Sequence, residues 1–278
     1  MPISTAPVES LLDPPGVPTS RDAIPVTPAT RARFAAVASG VFLWAIPMAV
    51  GQATSHRRLA AAGASGEVLG RNMRTWGRRW ARVLRTVGLD IRLDDRSGLP
   101  PDAGPVVFVG NHQTALDVVA VLAVVPQAFV FTPKAELRTA PVVGMALRHS
   151  PSVFIDKRDA RRAVRSLQDA ARQVAAGTSV MIYPEGRRSY SGGLLPFERG
   201  AFVLAVEAGV PIVPFTLRGV YRLVDERRAV ARAGAATVRL FPPIDTHGLT
   251  RADLPALMAR VRTTFADDLA DYEATHPV

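Results

Sequence analysis

The sequence predicts an α/β fold: a mostly parallel central sheet flanked by helices, preceded by helices that associate with a membrane. Three observations predict it. From Gly88 onward, short apolar runs alternate with helical stretches, which is the order of a layered α/β domain. Some of those runs, such as 104–110, are continuously apolar, as strands covered on both faces are. Residues 31–87 instead carry a long uncharged segment and then a basic amphipathic pattern.

Taken in order, residues 1–28 hold seven prolines and little apolar periodicity, so residues 1–30 are expected to be a disordered tail. Residues 31–87 form the membrane-associating segment, and residues 88–278 the α/β domain. Phe34–Gly51 is free of charge over 18 residues. As a helix it would extend about 27 Å, near the lower limit for crossing a bilayer. Arg31 and Arg33 precede it and His56, Arg57 and Arg58 follow it. With Pro47 liable to kink it, the expectation is a helix that enters or lies in the cytoplasmic leaflet, with a single span as the alternative. The next helix places Leu69, Met73, Trp76, Trp80, Val83, Leu84 and Val87 in one wedge about 100° wide, with six arginines outside it. That stripe fits lipid and a protein core equally well.

Beyond Gly88, strands are expected at 89–93, 104–110, 128–132, 153–156, 178–183, 212–218 and 236–241. Helices are expected after Asp117 and at 134–148, 159–176, 200–208 and 250–272. Ligands of such sheets bind beyond the carboxyl ends of the strands.

The chain has 278 residues, no cysteine and a formal net charge of +10. The missing cysteine excludes disulfides, thiolate nucleophiles and cysteine-bound metals. The charge favours anionic partners, whether nucleic acid, anionic lipid or phosphorylated substrates. No G-x-S-x-G, H-E-x-x-H or tight His/Asp cluster occurs, so no metal or cofactor is expected.

Chemistry concentrates where strands end. "NHQTALD" follows the apolar run 104–110, and its His112 and Asp117 lie five residues apart. A strand-to-helix turn lets Asp117 reach one ring nitrogen and leaves the other facing the cleft, the arrangement of a base with its orienting carboxylate. The alternative is a structural histidine with Asp117 capping the helix. Without a protein nucleophile beside it, a histidine base implies that the substrate's own hydroxyl attacks. "VFIDKRD" ends another strand with Lys157 and Arg158, and "YPEGRRS" a third, with Glu185, Gly186, Arg187 and Arg188. Arginines in a glycine-bounded loop suit a phosphate.

"NHQTALD", "VFIDKRD", "YPEGRRS" and "VPIVPF", in this order and spacing, resemble the four blocks of the 1-acyl-glycerol-3-phosphate acyltransferase family over about Leu89 to Phe215. The resemblance implies a glycerolipid acyltransferase-like domain on an N-terminal membrane-binding helical pair. It implies transfer of a fatty acyl group from acyl-CoA or acyl-carrier protein to a lysophospholipid hydroxyl at the cytoplasmic face of a membrane. It makes His112 the general base and Asp117 its support, and gives Glu185 and Arg188 to acceptor binding. Asn111, Lys157, Arg158, Gly186 and Arg187, in the same blocks, are candidate substrate contacts. The chain departs from the family's pattern at Lys157, at Arg187 (where threonine is usual) and at Glu198 (where lysine is usual), which bears on the acceptor headgroup. Rival readings are an acyltransferase for another lysolipid such as lyso-ornithine lipid, a basic nucleic-acid module, and a membrane scaffold without catalysis. The apolar 34–51 segment and the lack of aromatics among the basic residues of the 88–278 region argue against nucleic acid as a partner.

Overall fold

The computed structural model describes residues 17–64, 66–100, 102–139, 154–155 and 159–277. Its six-stranded sheet has the order β1-β8-β5-β2-β4-β3. These strands are β1 (Leu89–Asp95), β2 (Val107–Gly110), β3 (Val130–Phe131), β4 (Val180–Ile182), β5 (Ile212–Arg218) and β8 (Gly234–Leu240). β5, β2, β4 and β3 run parallel, and β1 runs parallel to β8. The β5–β8 pair is antiparallel, which makes the sheet mostly parallel, as expected. A two-stranded hairpin, β6 (Val224–Asp225) and β7 (Val230–Ala231), stands apart from it.

Alternation along the central strands sends side chains to two cores. Phe108 joins Met181, Val213 and Phe215 on the face covered by α2 (Pro28–Ala61), α3 (Gly66–Thr86) and α4 (Leu116–Val124). Val107 and Val109 join Val180, Ile182 and Ile212 on the other face. That face is covered by α5 (Ala160–Ala175), α6 (Gly200–Ala208) and α7 (Leu254–Thr275). β2 and β5 are buried along their whole length, which is why their sequences are mostly apolar, with Thr216 and Arg218 as buried exceptions near the end of β5.

The N-terminal helices are an antiparallel pair built onto the first core. Trp80 and Leu84 are fully buried there, and the Trp80 indole N–H donates to Gln52 Oε1 at 3.1 Å. Ser55 donates to Asn72 at 2.6 Å in the same interface. Gly77 lets α3 approach α4 closely, since a Cβ there would stand 3.0 Å from the Ala123 carbonyl oxygen. The apolar stripe of α3 is therefore a protein-core stripe at Trp80 and Leu84; burial of such a side chain stabilises by roughly 3 kcal/mol. Its basic face stays exposed at Arg71, Arg78, Arg79, Arg82 and Arg85. Among the described residues no helix is long and apolar enough to cross a membrane, so the single-span alternative for 34–51 finds no support.

Two expectations change. Residues 17–24 are not part of a disordered tail. The short α1 (Ser20–Ala23) carries a capping box at Thr19, Ile24 is fully buried, and Ser20 donates to the buried Asp225 at 2.7 Å. Of the helix expected at 134–148, residues 135–139 are a 3-10 turn; 140–153 and 156–158 lie outside the described residues, and within the expected 153–156 strand Ile155 bridges Lys134 in parallel. α4 packs Ala120, Val121 and Ala123 into the core, so it is chiefly a sheet-covering helix.

Candidate active site

β2 and β4 lie side by side and parallel, with Val109 opposite Ile182, so their carboxyl ends open on one rim. From β2 the chain turns through Asn111–Ala115 into α4; from β4 it enters the loop from Tyr183 to Gly193. Backbone bonds join these two turns: Ser189 N–H donates to the His112 carbonyl at 2.8 Å and Tyr190 N–H to that of Gln113 at 3.0 Å. The third-block loop is thereby fixed against the histidine turn.

Asp117 is fully buried in the first turn of α4. A single oxygen, Oδ2, meets His112 Nδ1 at 2.6 Å and accepts the backbone N–H groups of Gln113 at 2.5 Å and Thr114 at 3.0 Å. Of the two roles the sequence leaves open, Asp117 fills that of histidine partner; α4 has Ala115 at its N-cap and no side-chain cap, and Asp117 instead ties down the turn that precedes the helix. Burial pushes the Asp117 carboxyl up, and its bonds from His112, Thr114 and Gln113 work against that rise. The imidazole stacks on Tyr183 with centroids 4.2 Å apart and planes 12° from parallel. Its side chain keeps 14% exposure, so with Nδ1 engaged, Nε2 is the nitrogen left for a reacting group.

Glu185 is buried, and both its oxygens are already used. Oε1 accepts the backbone N–H of His112 at 2.9 Å and Oε2 that of Leu195 at 2.8 Å. It ties the histidine turn to the far end of the loop and presents no oxygen to an arginine or a substrate hydroxyl. Asn111 is likewise turned inward. Its side chain donates to the Leu217 carbonyl at 3.1 Å and accepts the Leu217 N–H at 2.7 Å, continuing the β2–β5 ladder past Gly110. A substrate contact by the Asn111 side chain is therefore not what this geometry offers. Gly186 sits at φ +66°, so the position favours glycine for its conformation; a Cβ there would meet only the movable carboxylate of the exposed Glu198.

Arg187 and Arg188 are both exposed on the loop. Arg188 Nη1 donates to Glu226 Oε1 at 2.8 Å, a partner 38 residues away that sequence reasoning missed. Glu226 sits beside the two-residue strand β6, too short to leave a periodic signal. Lys157 and Arg158 lie outside the described residues. Among the described residues no group of three or more His, Asp and Glu could hold a metal ion.

The Glu185 carboxyl is pushed up to about 8, chiefly by burial, against its two N–H donors and Arg262. A carboxyl raised on folding stabilises fully below its unfolded pKa of 4.5, and that contribution is lost as the pH rises through about 8. The thermal midpoint of the wild-type protein should therefore fall between pH 5 and pH 9. Glu185→Gln, which has nothing to titrate, should flatten that fall. Parallel pH profiles for the two proteins would contradict it.

Residues 91–218 match the family model described as Acyltransferase. A human relative, 1-acyl-sn-glycerol-3-phosphate acyltransferase alpha, is 37% identical over 163 residues, 58% of this chain and 58% of its own. A Saccharomyces cerevisiae 1-acyl-sn-glycerol-3-phosphate acyltransferase is 30% identical over 188 residues, 66% of this chain and 61% of its own. The match thus spans about three fifths of these relatives' own length. The crystal structure of the 1-acyl-sn-glycerophosphate (LPA) acyltransferase PlsC from Thermotoga maritima shares the fold, with a TM-score of 0.63 and 24% identity over 86% of this chain and 94% of that one. The matched Acyltransferase domain and these relatives make the chain similar to 1-acyl-sn-glycerol-3-phosphate acyltransferases, with which it shares a fold.

Proposed function

We propose that the protein transfers a fatty acyl group from an acyl thioester, acyl-CoA or acyl-carrier protein, to the free hydroxyl of 1-acyl-sn-glycerol 3-phosphate, giving phosphatidic acid. The observation that carries this reading is the 2.6 Å contact of His112 Nδ1 with the buried Asp117. Asp117 holds Nδ1 protonated and steadies the imidazolium that forms when Nε2 takes a proton. In the reaction, Nε2 removes the acceptor's hydroxyl proton as that oxygen attacks the thioester carbonyl carbon. The tetrahedral intermediate collapses, the carbon–sulfur bond breaks, and the thiolate leaves, taking the proton from His112. Arg188, with Arg187 beside it, faces solvent next to the histidine turn and supplies the planar donors that suit a phosphate monoester.

The names of the relatives support the phosphate-bearing acceptor. The exposed arginines of α3 support a second part of the proposal, that the protein works on an anionic membrane surface with its N-terminal pair against the lipid.

Purified full-length protein, acyl-CoA and lysophosphatidic acid, read by mass spectrometry, test the reaction. His112→Ala should abolish transfer, and Asp117→Asn should lower turnover by about three to four orders of magnitude, with the fold retained by circular dichroism. Near-normal turnover of folded His112→Ala would overturn the mechanism. Vesicles containing anionic lipid should raise turnover over zwitterionic ones at low salt, and high salt should erase the difference. Equal turnover on both at low salt would remove the surface role.

A further inference from the structure

We propose that Glu226 is a positioning residue that pre-orients Arg188 for the acceptor's phosphate. This rests on the reading of Arg188 given above. One oxygen of Glu226, Oε1, gathers three donors: Arg188 Nη1 at 2.8 Å, the Tyr190 hydroxyl at 2.8 Å and the Ala115 N–H at 3.2 Å. Ala115 belongs to the histidine turn and Arg188 and Tyr190 to the third-block loop, so the carboxylate fixes the guanidinium relative to the dyad.

The hairpin that presents Glu226 is itself built for the purpose. The fully buried Asp225 accepts the N–H groups of Arg227 at 3.0 Å and Arg228 at 3.3 Å, which shapes the turn around Glu226. Ser20 clamps both partners, donating its hydroxyl to Asp225 at 2.7 Å and its N–H to the Tyr190 carbonyl at 2.9 Å. Arg227 covers the Tyr190 ring at 3.6 Å. Tyr190 has φ +56°, a left-handed conformation that a non-glycine residue keeps only when its surroundings hold it there.

Two effects of Glu226 oppose each other. Its charge offsets one arginine and so weakens the pull on a dianion. Its bond also removes the rotational freedom that a half-exposed arginine would otherwise lose on binding. Positioning wins for two reasons. Tyr190 and Ala115 draw on the same oxygen, which dilutes the charge, and Arg187 adds a positive charge next door. Of the five guanidinium N–H donors, Glu226 and the Tyr190 hydroxyl engage a part, and the others remain for phosphate.

A double-mutant cycle in the full-length protein tests this. Glu226→Gln keeps the shape and removes the charge. It should raise the KM for lysophosphatidic acid about five- to tenfold, as loss of a charge-assisted bond does. The effect on kcat, and on an acceptor lacking the phosphate monoester, should be smaller. In an Arg188→Ala background the same change should have almost no further effect on KM, because Glu226 acts through Arg188. Additive effects, or a KM that falls in Glu226→Gln, would overturn the proposal. A second measurement does not need turnover: glycerol 3-phosphate should raise the thermal midpoint of the wild type, and less so that of Glu226→Gln and Arg188→Ala. A wild-type shift that depends on Glu226 without acyl transfer would sink the reaction but keep this inference. Transfer with KM and shift indifferent to Glu226 would sink the inference alone. No wild-type shift would also overturn it, since Arg188 would then hold no phosphate.

Discussion

The site depends on one buried oxygen. Asp117 Oδ2 fixes the turn after β2 by accepting two backbone N–H groups, and the same atom holds the His112 ring at Nδ1. Placing a carboxylate in a fully desolvated position is costly unless its hydrogen-bonding capacity is used. Three donors on Oδ2 offset part of that cost, while Oδ1 is buried without a hydrogen-bond partner. The arrangement makes the start of α4, the ring's orientation and its tautomer a single structural choice, so none of them shifts alone.

A second buried carboxyl group, that of Glu185, ties down the neighbouring turn in a similar way. Glu185 joins the His112 N–H to the Leu195 N–H, and the backbone bonds from Ser189 and Tyr190 close the seam between the loops after β2 and β4. The proposed phosphate donors, Arg187 and Arg188, stand at the exposed part of this seam. Below it, the two cores and the α2–α3 pair grip the sheet from both faces. A base held from beneath and donors held from the side is what proton abstraction from a bound hydroxyl requires.

Much of this was legible in the sequence where a local pattern carries it. β5 and α6 fall at the expected 212–218 and 200–208, because one opens on the apolar run Ile212–Phe215 and the other is closed by Gly209 at φ +65°. The His112–Asp117 spacing encodes its own contact, since five residues across a strand-to-helix turn bring the groups together. What stayed hidden depends on partners distant in the chain. Periodicity could not say whether Trp80 meets lipid or core; Gln52 and the sheet decide that. Nothing near Glu185 or Asn111 announces that their polar atoms are spent on backbone, and nothing near Glu226 announces Arg188. Residues 17–24 have tail-like composition, yet Ser20 and Ile24 dock through contacts about 200 residues away.

Whether His112 can act as a base depends on which of its ring nitrogens carries the proton. Isotope-edited NMR of nitrogen-15-labelled protein, with the His112 signals assigned by their loss in His112→Ala, reports which nitrogen carries the proton in the neutral ring. The prediction is the Nδ1–H tautomer, with that preference lost in Asp117→Asn. A neutral His112 protonated on Nε2, or a tautomer indifferent to Asp117→Asn, would contradict the claim that a buried carboxylate prepares this histidine as a base.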